Sequence, residues 1–250
     1  MIEQFPVIIN VRDRLTDLLA LLRWLESVGQ REIWLCDNDS TYPPMVEFLQ
    51  TTKHHVFRNN FNLGKRAPWL CGLVPELGHD RFFIVTDPDV IPTDHCPKDV
   101  LPFFKRCLEE HPETDLVGFS LKIDDLPDHY RHKKSVIAWE SQFWEEKVGK
   151  YLYRAPIDTT FAMYRPGLGH RSGNALRSAP PYEARHMPWY QDSKNLTEEE
   201  TFYASRADML ITNWNDRTLP ANVVAKLRNM KRHPSKVSKK SSRRRQGGTK

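Results

Sequence analysis

The stretch that decides the fold runs from Arg81 to Asp89 and reads RFFIVTDPD. Its apolar centre, Phe82–Val85, has the continuous hydrophobic character of a short strand that is buried on both faces of a sheet. The strand leads directly into two carboxylates, Asp87 and Asp89, with one proline between them that stiffens the turn. Carboxylates at this spacing can share a divalent cation, or they can cap backbone amides in a turn. The sequence therefore predicts a buried strand that ends at a polar edge.

Three strand-and-helix units precede this strand. Apolar, β-branched runs predict strands at Pro6–Val11, Glu32–Cys36 and His55–Phe57. Helices are predicted after each of them, the first capped by Thr16, the second opened by Pro43 and the third spanning Ala67–Leu73. Four such units in about 90 residues predict an α/β fold with a doubly wound, mostly parallel sheet and helices on both faces.

The polar residues that follow the predicted strands form the candidate site. Ligands of such sheets bind at the carboxyl ends of the strands. Three polar clusters, Arg12–Asp13, Asp37–Asp39 and Asp87–Asp89, fall at those ends. We therefore expect them to converge at one edge of the sheet.

The second half of the chain is less regular. Strands are predicted within Asp115–Ile123 and Ala155–Tyr164, and helices at Lys134–Trp144 and from Thr197 to Asp208. Between them lies a segment rich in proline, arginine and aromatic residues, Gly167–Asp192. Long segments of this kind commonly form lids or binding surfaces.

Composition excludes several classes of protein. A chain of 250 residues with 39% hydrophobic content can fill a sizeable core, so it is not a disordered protein. Four cysteines without a CxxC pair indicate reduced core thiols rather than a disulfide scaffold or a zinc site. No apolar run approaches the ~20 residues of a membrane span, and Met1–Pro6 does not open a secretion signal. A cytoplasmic protein is expected.

The net charge of +5 is unevenly distributed. Residues 226–250 hold 11 lysines and arginines and no acid, which leaves 26 basic against 32 acidic residues in positions 1–225. We expect one domain over residues 1–232 and a disordered basic tail over 233–250. The tail can be a solvated end, a weak contact to an anionic membrane at its inner face, or a contact to a polyanion. Specific nucleic-acid binding is not expected, because the body of the chain is acidic.

Four blocks together resemble a known family. Pro6–Arg14, Asp37–Ser40, Asn62–Gly64 and Val85–Asp89, the last containing a DXD motif, are similar to the successive nucleotide-binding blocks of GT-A fold glycosyltransferases, closest to family 2. The resemblance covers residues 5–95 in order and extends weakly to about 210. It implies a Rossmann-like nucleotide-binding half over 1–95 and an acceptor-binding half over 96–232.

The resemblance also implies the ligands. The donor would be a UDP-, GDP- or dTDP-sugar. The acceptor would be a glycan or another hydroxyl compound, lipid-linked or protein-linked. The cofactor would be Mn²⁺ or Mg²⁺, and the transfer would invert the anomeric configuration.

Donor-site roles follow position by position from the resemblance. Arg12 and Asp13 would border the nucleotide, Asp37 would accept hydrogen bonds from the base with Asn38 beside it, and Asp87 would contact the ribose and the sugar. Asn62, Gly64, Lys65 and Arg66 would reach the ribose or diphosphate, and Asp87 and Asp89 the metal. Alternatively, Asp37 caps Ser40 or Thr41, and the two basic residues are solvated charges at a helix start.

Four carboxylates are candidates for the catalytic base. The family commonly has a Glu-Asp pair at the opening of a late helix, and Glu199 and Glu200 stand at the matching place without the aspartate. They can instead simply stabilise a helix dipole. Asp158 interrupts a predicted apolar strand, which favours a cleft or a structural ion pair. Glu140 lies among aromatic residues that suit either a sugar or helix packing.

The segment Pro181–Tyr190 supplies the remaining candidates. His186 can complete the metal shell, or it can act with Arg185 to neutralise the departing diphosphate. A structural, hydrogen-bonded histidine is the alternative. Trp189 and Tyr190 can stack on a sugar ring.

Two other functions fit parts of the sequence. A sugar-phosphate nucleotidyltransferase also places paired carboxylates on a parallel sheet, but it typically has a glycine-rich loop after the first strand, and Asn10–Arg14 contains no glycine. A non-catalytic polyanion-binding protein would act through the basic tail. The sequence favours a metal-dependent glycosyltransferase.

Overall fold

The computed structural model describes residues 2–158, 160–170 and 173–206, together with residues 219, 223–225 and 227–228. The tail over 233–250 lies outside the described residues. The strands are β1 (Val7–Val11), β2 (Ile33–Asn38), β3 (His55–Asn59), β4 (Phe83–Thr86), β5 (Val90–Pro92), β6 (Leu116–Gly118), β7 (Ser120–Leu121), β8 (Lys147–Val148), β9 (Leu152–Arg154), β10 (Ala162–Tyr164), β11 (Ala175–Ser178) and β12 (Glu183–His186). The helices are α1 (Leu15–Ser27), α2 (Pro43–Thr51), α3 (Ala67–Leu70), α4 (Leu73–Leu77), α5 (Val100–Glu110), α6 (Lys133–Glu140) and α7 (Glu198–Arg206). Short 3-10 helices span Gly64–Arg66, Ser141–Trp144 and Met187–Tyr190.

A large sheet forms the centre of the described chain. Its strand order is β3-β2-β1-β4-β10-β6-β11-β9-β8. The first four strands are mutually parallel, and only β10 and β9 run against the common direction. The expected α/β fold with a mostly parallel sheet is confirmed.

Apolar cores cover both faces of this sheet. Successive side chains of a strand point to opposite faces. Val7 and Ile9 accordingly pack with α1 residues such as Leu21, whereas Ile8 packs with α3 and α4 residues such as Leu73. Each fully buried leucine or isoleucine of these layers contributes roughly 1.5–3 kcal/mol. This packing of helices on both faces stabilises the positions of the strands in the first half of the chain, and with them the residues at the strand ends.

Three predicted elements differ from the structure. The predicted helix over 67–73 breaks into α3 and α4 at Gly72, whose φ of +89° lies in the left-handed region. The predicted strand within 115–123 divides into β6 and β7, which join different sheets. The strand predicted over 155–164 is regular only at β10, so Asp158 lies in a loop. In each case, pairing with distant strands or local backbone geometry overrides the apolar pattern.

A small second sheet brings the second half of the chain to the end of β4. Its order is β5-β12-β7, and His186 of β12 pairs with Val90 of β5. The amide of Met187 also donates to the carbonyl of Asp89 at 2.8 Å. Residues 89 and 186 are thereby neighbours, although 97 positions separate them in the sequence.

Helices α1–α7 are 4 to 13 residues long. None of them combines the length and the apolar composition that crossing a bilayer requires.

Candidate functional site

The carboxyl ends of β1, β2 and β4 meet at one edge of the large sheet, which we call the rim. Val11 pairs with Asp37, and Ile9 pairs with both Leu35 and Thr86. The polar residues that follow these strands consequently project from a common edge. The predicted convergence of Asp13, Asp37 and the Asp87–Asp89 turn is what the structure shows.

Asp13 and Asp37 are joined through Ser40. Asp13 is buried, and its Oδ1 accepts hydrogen bonds from the amides of Thr41 and Tyr42 at 2.6 and 2.7 Å. The Asp13 amide donates to the Ser40 hydroxyl, whose own amide donates to Asp37 Oδ1 at 3.0 Å. Asp13 thus holds the start of α2. One of the two carboxylate oxygens of Asp37 accepts from the Ser40 amide, so Asp37 does have the capping role that was the alternative to nucleotide binding.

Two aspartates of the rim have unusual backbone conformations. Asp13 and Asp39 have φ values of +54° and +65°, a left-handed region that non-glycine residues adopt rarely and aspartate better than most. Backbone strain of this kind persists only where the surrounding structure holds it in place, and it is concentrated at functional sites.

Two opposing effects act on the pKa of Asp37. Burial raises this pKa, and hydrogen bonds from Ser40 lower it.

Asn38 and Asn62 shape the loop that follows β3. The Asn38 amide nitrogen donates to Asn62 Oδ1 at 2.7 Å and to the Gly64 carbonyl at 3.1 Å, and Asn38 Oδ1 accepts from the Leu63 amide at 2.7 Å. Asn62 Oδ1 also accepts from the amide of Gly64, which has a φ of +67°. These side chains therefore position the loop, and Lys65 and Arg66 are among the residues that it exposes to solvent.

Asp158 and Lys65 form a bridge between the two halves of the chain. Lys65 Nζ lies 2.7 Å from Asp158 Oδ1, and both side chains are more than half exposed. A surface pair of this kind contributes ~0–1 kcal/mol and can open readily. Asp158 is therefore in reach of solvent near the rim rather than buried in a strand.

The centre of the site is a buried group of charges that we call the Arg14 cluster: Arg14, Asp17, Asp89, Glu200 and Tyr203. Arg14 Nη1 lies 2.6 Å from Asp89 Oδ2, and Arg14 Nε lies 3.0 Å from Glu200 Oε1. The Tyr203 ring lies 4.0 Å from the guanidinium carbon of Arg14, a cation–π contact. All three ion-paired side chains are less than one tenth exposed.

Burial and charge oppose each other within this cluster. Burial by itself lowers the pKa of Arg14, but Glu200, Tyr203 and Asp89 outweigh it, so the pKa is raised overall. Burial also raises the pKa of Asp17 to about 7, with Asp89 adding to the rise and Arg14 opposing it. Three acidic side chains thus surround one arginine.

His186 faces the same aspartate from the small sheet. Its Nε2 lies 3.7 Å from Asp89 Oδ2. Burial lowers the pKa of His186, and Asp89 opposes this, so the neutral imidazole is favoured. Trp189 packs edge-on against the ring with centroids 4.7 Å apart.

The residues around Asp89 fit a divalent cation in part. Asp89 Oδ1 and His186 Nδ1 are buried without a hydrogen-bond partner among the described residues. A carboxylate oxygen and a neutral imidazole are suitable ligands, and Mg²⁺ commonly takes only one or two protein ligands beside phosphate oxygens. No group of three or more His, Cys, Asp or Glu side chains in the described ranges could hold a metal ion. A metal would therefore need ligands from a bound diphosphate.

Helix α7 closes over the rim and joins it to α1. Both oxygens of Glu199 accept from the amide of Thr16, and one also accepts from the Leu15 amide at 3.0 Å. Arg12 donates to the Arg206 carbonyl at 3.3 Å. The expectation that Thr16 caps α1 is wrong, because the helix begins at Leu15 and a carboxylate from α7 satisfies its first amides.

Four predicted site residues are engaged by other protein groups, although one of them, Trp189, packs against His186 of the site. Glu140 is buried in an ion pair with Arg177 at 2.9 Å. Arg185 projects from the opposite face of β12 to His186 and pairs with Asp125 at 2.8 Å. The Tyr190 hydroxyl donates to the same carboxylate, and Trp189 is only 2% exposed in the core. These contacts favour structural roles, since none of the four offers an open ring face or a charge to the rim.

Sequence reasoning missed three members of the Arg14 cluster. Arg14 belongs to a motif block but is not among the predicted site residues, and neither are Asp17 and Tyr203. A signal did exist: Tyr203 lies three residues after Glu200, so both occupy one face of α7. Asp17 stands among the leucines of α1, and an acid within such an apolar stripe indicates a buried carboxylate that needs a partner.

The chain was also compared with known proteins. S. aureus TarS, residues 1–349, matches with a TM-score of 0.42 and 13% identity, over 74% of this chain and 61% of that chain. HddC from Yersinia pseudotuberculosis, solved in complex with GMP-PN, matches with a TM-score of 0.33 and 16% identity, over 70% of this chain and 76% of that one. This chain thus spans less than two thirds of the TarS chain. It matches no protein-family model and no curated protein sequence.

Proposed function

We propose that the rim binds the nucleotide-diphosphate part of a sugar donor and that the protein is a glycosyltransferase. The observation that supports this best is the convergence of Asp13, Asp37, Asp87 and Asp89 at the carboxyl ends of three parallel strands, with α7 closing over them. Crevices at this edge of parallel sheets are the usual place for nucleotide ligands.

The donor site is assembled from groups of different accessibility. In the proposed complex, the nucleotide base donates to Asp37, whose second oxygen is not used by Ser40. Lys65 and Arg66 are exposed on a loop that Asn38 holds, so they can approach a diphosphate. Asp87 is half-buried, whereas Asp89 is buried beside His186.

Asp89 and His186 are the proposed protein ligands of Mn²⁺ or Mg²⁺. Such a cation would neutralise the charge that develops on the departing diphosphate. Arg14 fixes the orientation of the Asp89 carboxylate, because it holds Oδ2 and leaves Oδ1 without a partner. The edge-on contact with Trp189 helps to fix the orientation of the imidazole ring.

Two of the four candidate bases remain near the rim. Glu199 is engaged by the amides of α1, and Glu140 pairs with Arg177, which is not a member of the Arg14 cluster, so neither is proposed as the base. Glu200 contacts Arg14 and Asp158 contacts Lys65. We propose that one of these two acts as the base of an inverting transfer.

Calorimetry with nucleotide sugars tests the donor site. UDP-, GDP- and dTDP-sugars are titrated into the protein with and without Mn²⁺, and at least one is expected to bind, more tightly with Mn²⁺. Asp87→Asn should weaken this binding by about tenfold or more, because a hydrogen bond to a charged group is worth ~1.5–3 kcal/mol. Asp124→Asn, which removes an exposed carboxylate that pairs with Lys122, is the matched control and should bind normally.

Asp89→Asn completes the test. It should abolish the effect of Mn²⁺, and its thermal unfolding is measured in parallel because it also weakens a buried ion pair. The proposal would be overturned by a folded wild-type protein that binds none of the three nucleotide classes. Identical affinities with and without Mn²⁺ would overturn the metal part alone.

A further inference from the structure

Two cysteines that are distant in the sequence meet behind the rim. Cys36 lies in β2, one residue before Asp37, and Cys71 ends α3. Their sulfur atoms are 3.8 Å apart, close to van der Waals contact. The two other cysteines, Cys96 and Cys107, are buried elsewhere and have no such neighbour among the described residues.

The two thiols differ in accessibility. Cys36 is fully buried in the core between the large sheet and α3, and Asn59 donates to its sulfur at 3.5 Å. Cys71 is half-buried. Cys71 is therefore the more accessible of the two thiols to a reagent from solvent, and Cys36 is its buried neighbour at 3.8 Å.

We propose that Cys36 and Cys71 form an oxidisable pair that reacts with low-molecular-weight disulfides, such as glutathione disulfide, to give an intramolecular disulfide. The Cys71 thiolate attacks one sulfur of glutathione disulfide, which breaks that S–S bond and releases one glutathione thiolate. The Cys36 sulfur, after losing its proton, attacks the Cys71 sulfur and releases the second glutathione. In total, two protein thiols are oxidised and one glutathione disulfide is reduced to two glutathiones.

Charge and hydrogen bonding favour the accessible thiol as the first nucleophile. The two thiols are within hydrogen-bonding distance, and with Cys36 as the donor this contact lowers the pKa of Cys71, while the same contact and burial raise the pKa of Cys36. A thiol that ionises near neutral pH is the most effective attacking group.

The backbone around Cys71 allows the necessary approach. The sulfurs must close from 3.8 Å to about 2.05 Å. Helix α3 is only four residues long, and Gly72 follows Cys71 with open space where a Cβ would lie. A short helix end beside a glycine can shift by this amount more easily than a strand in the middle of a sheet. The bond would tie the end of β2 to the segment that follows the Lys65–Arg66 loop.

Intact mass and peptide mapping test the pair. The reduced, native protein is incubated with glutathione disulfide without denaturant, and the expected product has lost two hydrogens and two of its four thiols. Digestion with trypsin under non-reducing conditions should link the peptides over residues 32–53 and 67–81. The cross-link should raise Tm by about 5 °C or more.

Variants separate the two steps. Cys36→Ser should stop the reaction at a mixed disulfide between Cys71 and glutathione, and Cys71→Ser should leave Cys36 unmodified. Cys96→Ser is the matched control and should still form the cross-link. Wild-type protein that accumulates only the mixed disulfide, keeps all of its thiols, or links Cys36 to another cysteine would overturn the proposal.

Discussion

At the scale of single residues, the site is organised by one arginine. Arg14 contacts Asp89 and Glu200 and lies against the ring of Tyr203. Buried ion pairs of this kind are costly to break, because the partner that remains is an uncompensated buried charge. Arg14 therefore determines which oxygen of Asp89 is available to a ligand.

Asp17 makes stability depend on pH. Its pKa is raised from 3.8 to about 7 by burial, so ionisation opposes folding: stability is unaffected below about pH 4, falls as the pH rises toward 7 and stays reduced above it. Asp17→Asn removes this loss. We expect the variant to be more stable than the wild type by about 1–4 kcal/mol at pH 8 and equally stable at pH 4. Thermal unfolding of both proteins across this range is the measurement, and an equal difference at both pH values would contradict the interpretation.

Kinetics can distinguish the two carboxylates that we propose as the base. Glu200→Gln and Asp158→Asn keep the shape of each side chain and remove its charge. The variant that has lost the base should show kcat reduced by about 10²-fold or more, with donor affinity nearly unchanged. Glu198→Gln, an exposed acid in the same turn, is the control. A large loss of donor affinity would instead assign the residue to the donor site.

At the scale of elements, α7 and α1 stabilise each other. The first amides of α1 have no side-chain cap from their own helix, and the Glu199 carboxylate of α7 satisfies them. This contact also orients α7, which carries Glu200 and Tyr203 over the rim. A residue that looks catalytic by position thus has a role in assembling the site.

Loss of the Glu199 contact should therefore reduce stability. Glu199→Ala is expected to cost ~0.5–2 kcal/mol, the usual effect of removing a helix N-cap, and to lower Tm by about 2–4 °C for each kcal/mol. Glu198→Ala removes an acid from the same first turn of α7 without a contact to α1, so it serves as the control. Equal effects of the two changes would show that only the helix dipole is involved.

At the scale of the whole molecule, charge separates the body from the tail. Residues 1–225 carry 26 basic and 32 acidic side chains, whereas the last 25 residues carry 11 basic ones and no acid. Removal of residues 235–250 should leave Tm and donor affinity unchanged, because this composition cannot contribute to an apolar core. Thermal unfolding and calorimetry of the truncated protein check this. Loss of the fold would show that the tail is part of the domain.

The sequence by itself determined the sheet of the first half and its polar edge. Strands β1–β4 and the acids that follow them were predicted because hydrophobic runs and their ends are local properties of the chain. The less regular second half was predicted less well. Its strands are only two to four residues long and take their partners from distant segments.

Only the tertiary structure decided which contacts the acidic side chains make. Arg14 and Asp89 are 75 residues apart, Leu15 and Glu199 are 184 apart, and Cys36 and Cys71 are 35 apart. Contacts over such separations leave no periodicity in the sequence, because they depend on how α7, β12 and α3 pack against the rim. Packing therefore assigned Glu199 to a helix cap, Glu140 to an ion pair and Asp89 to the centre of a buried cluster.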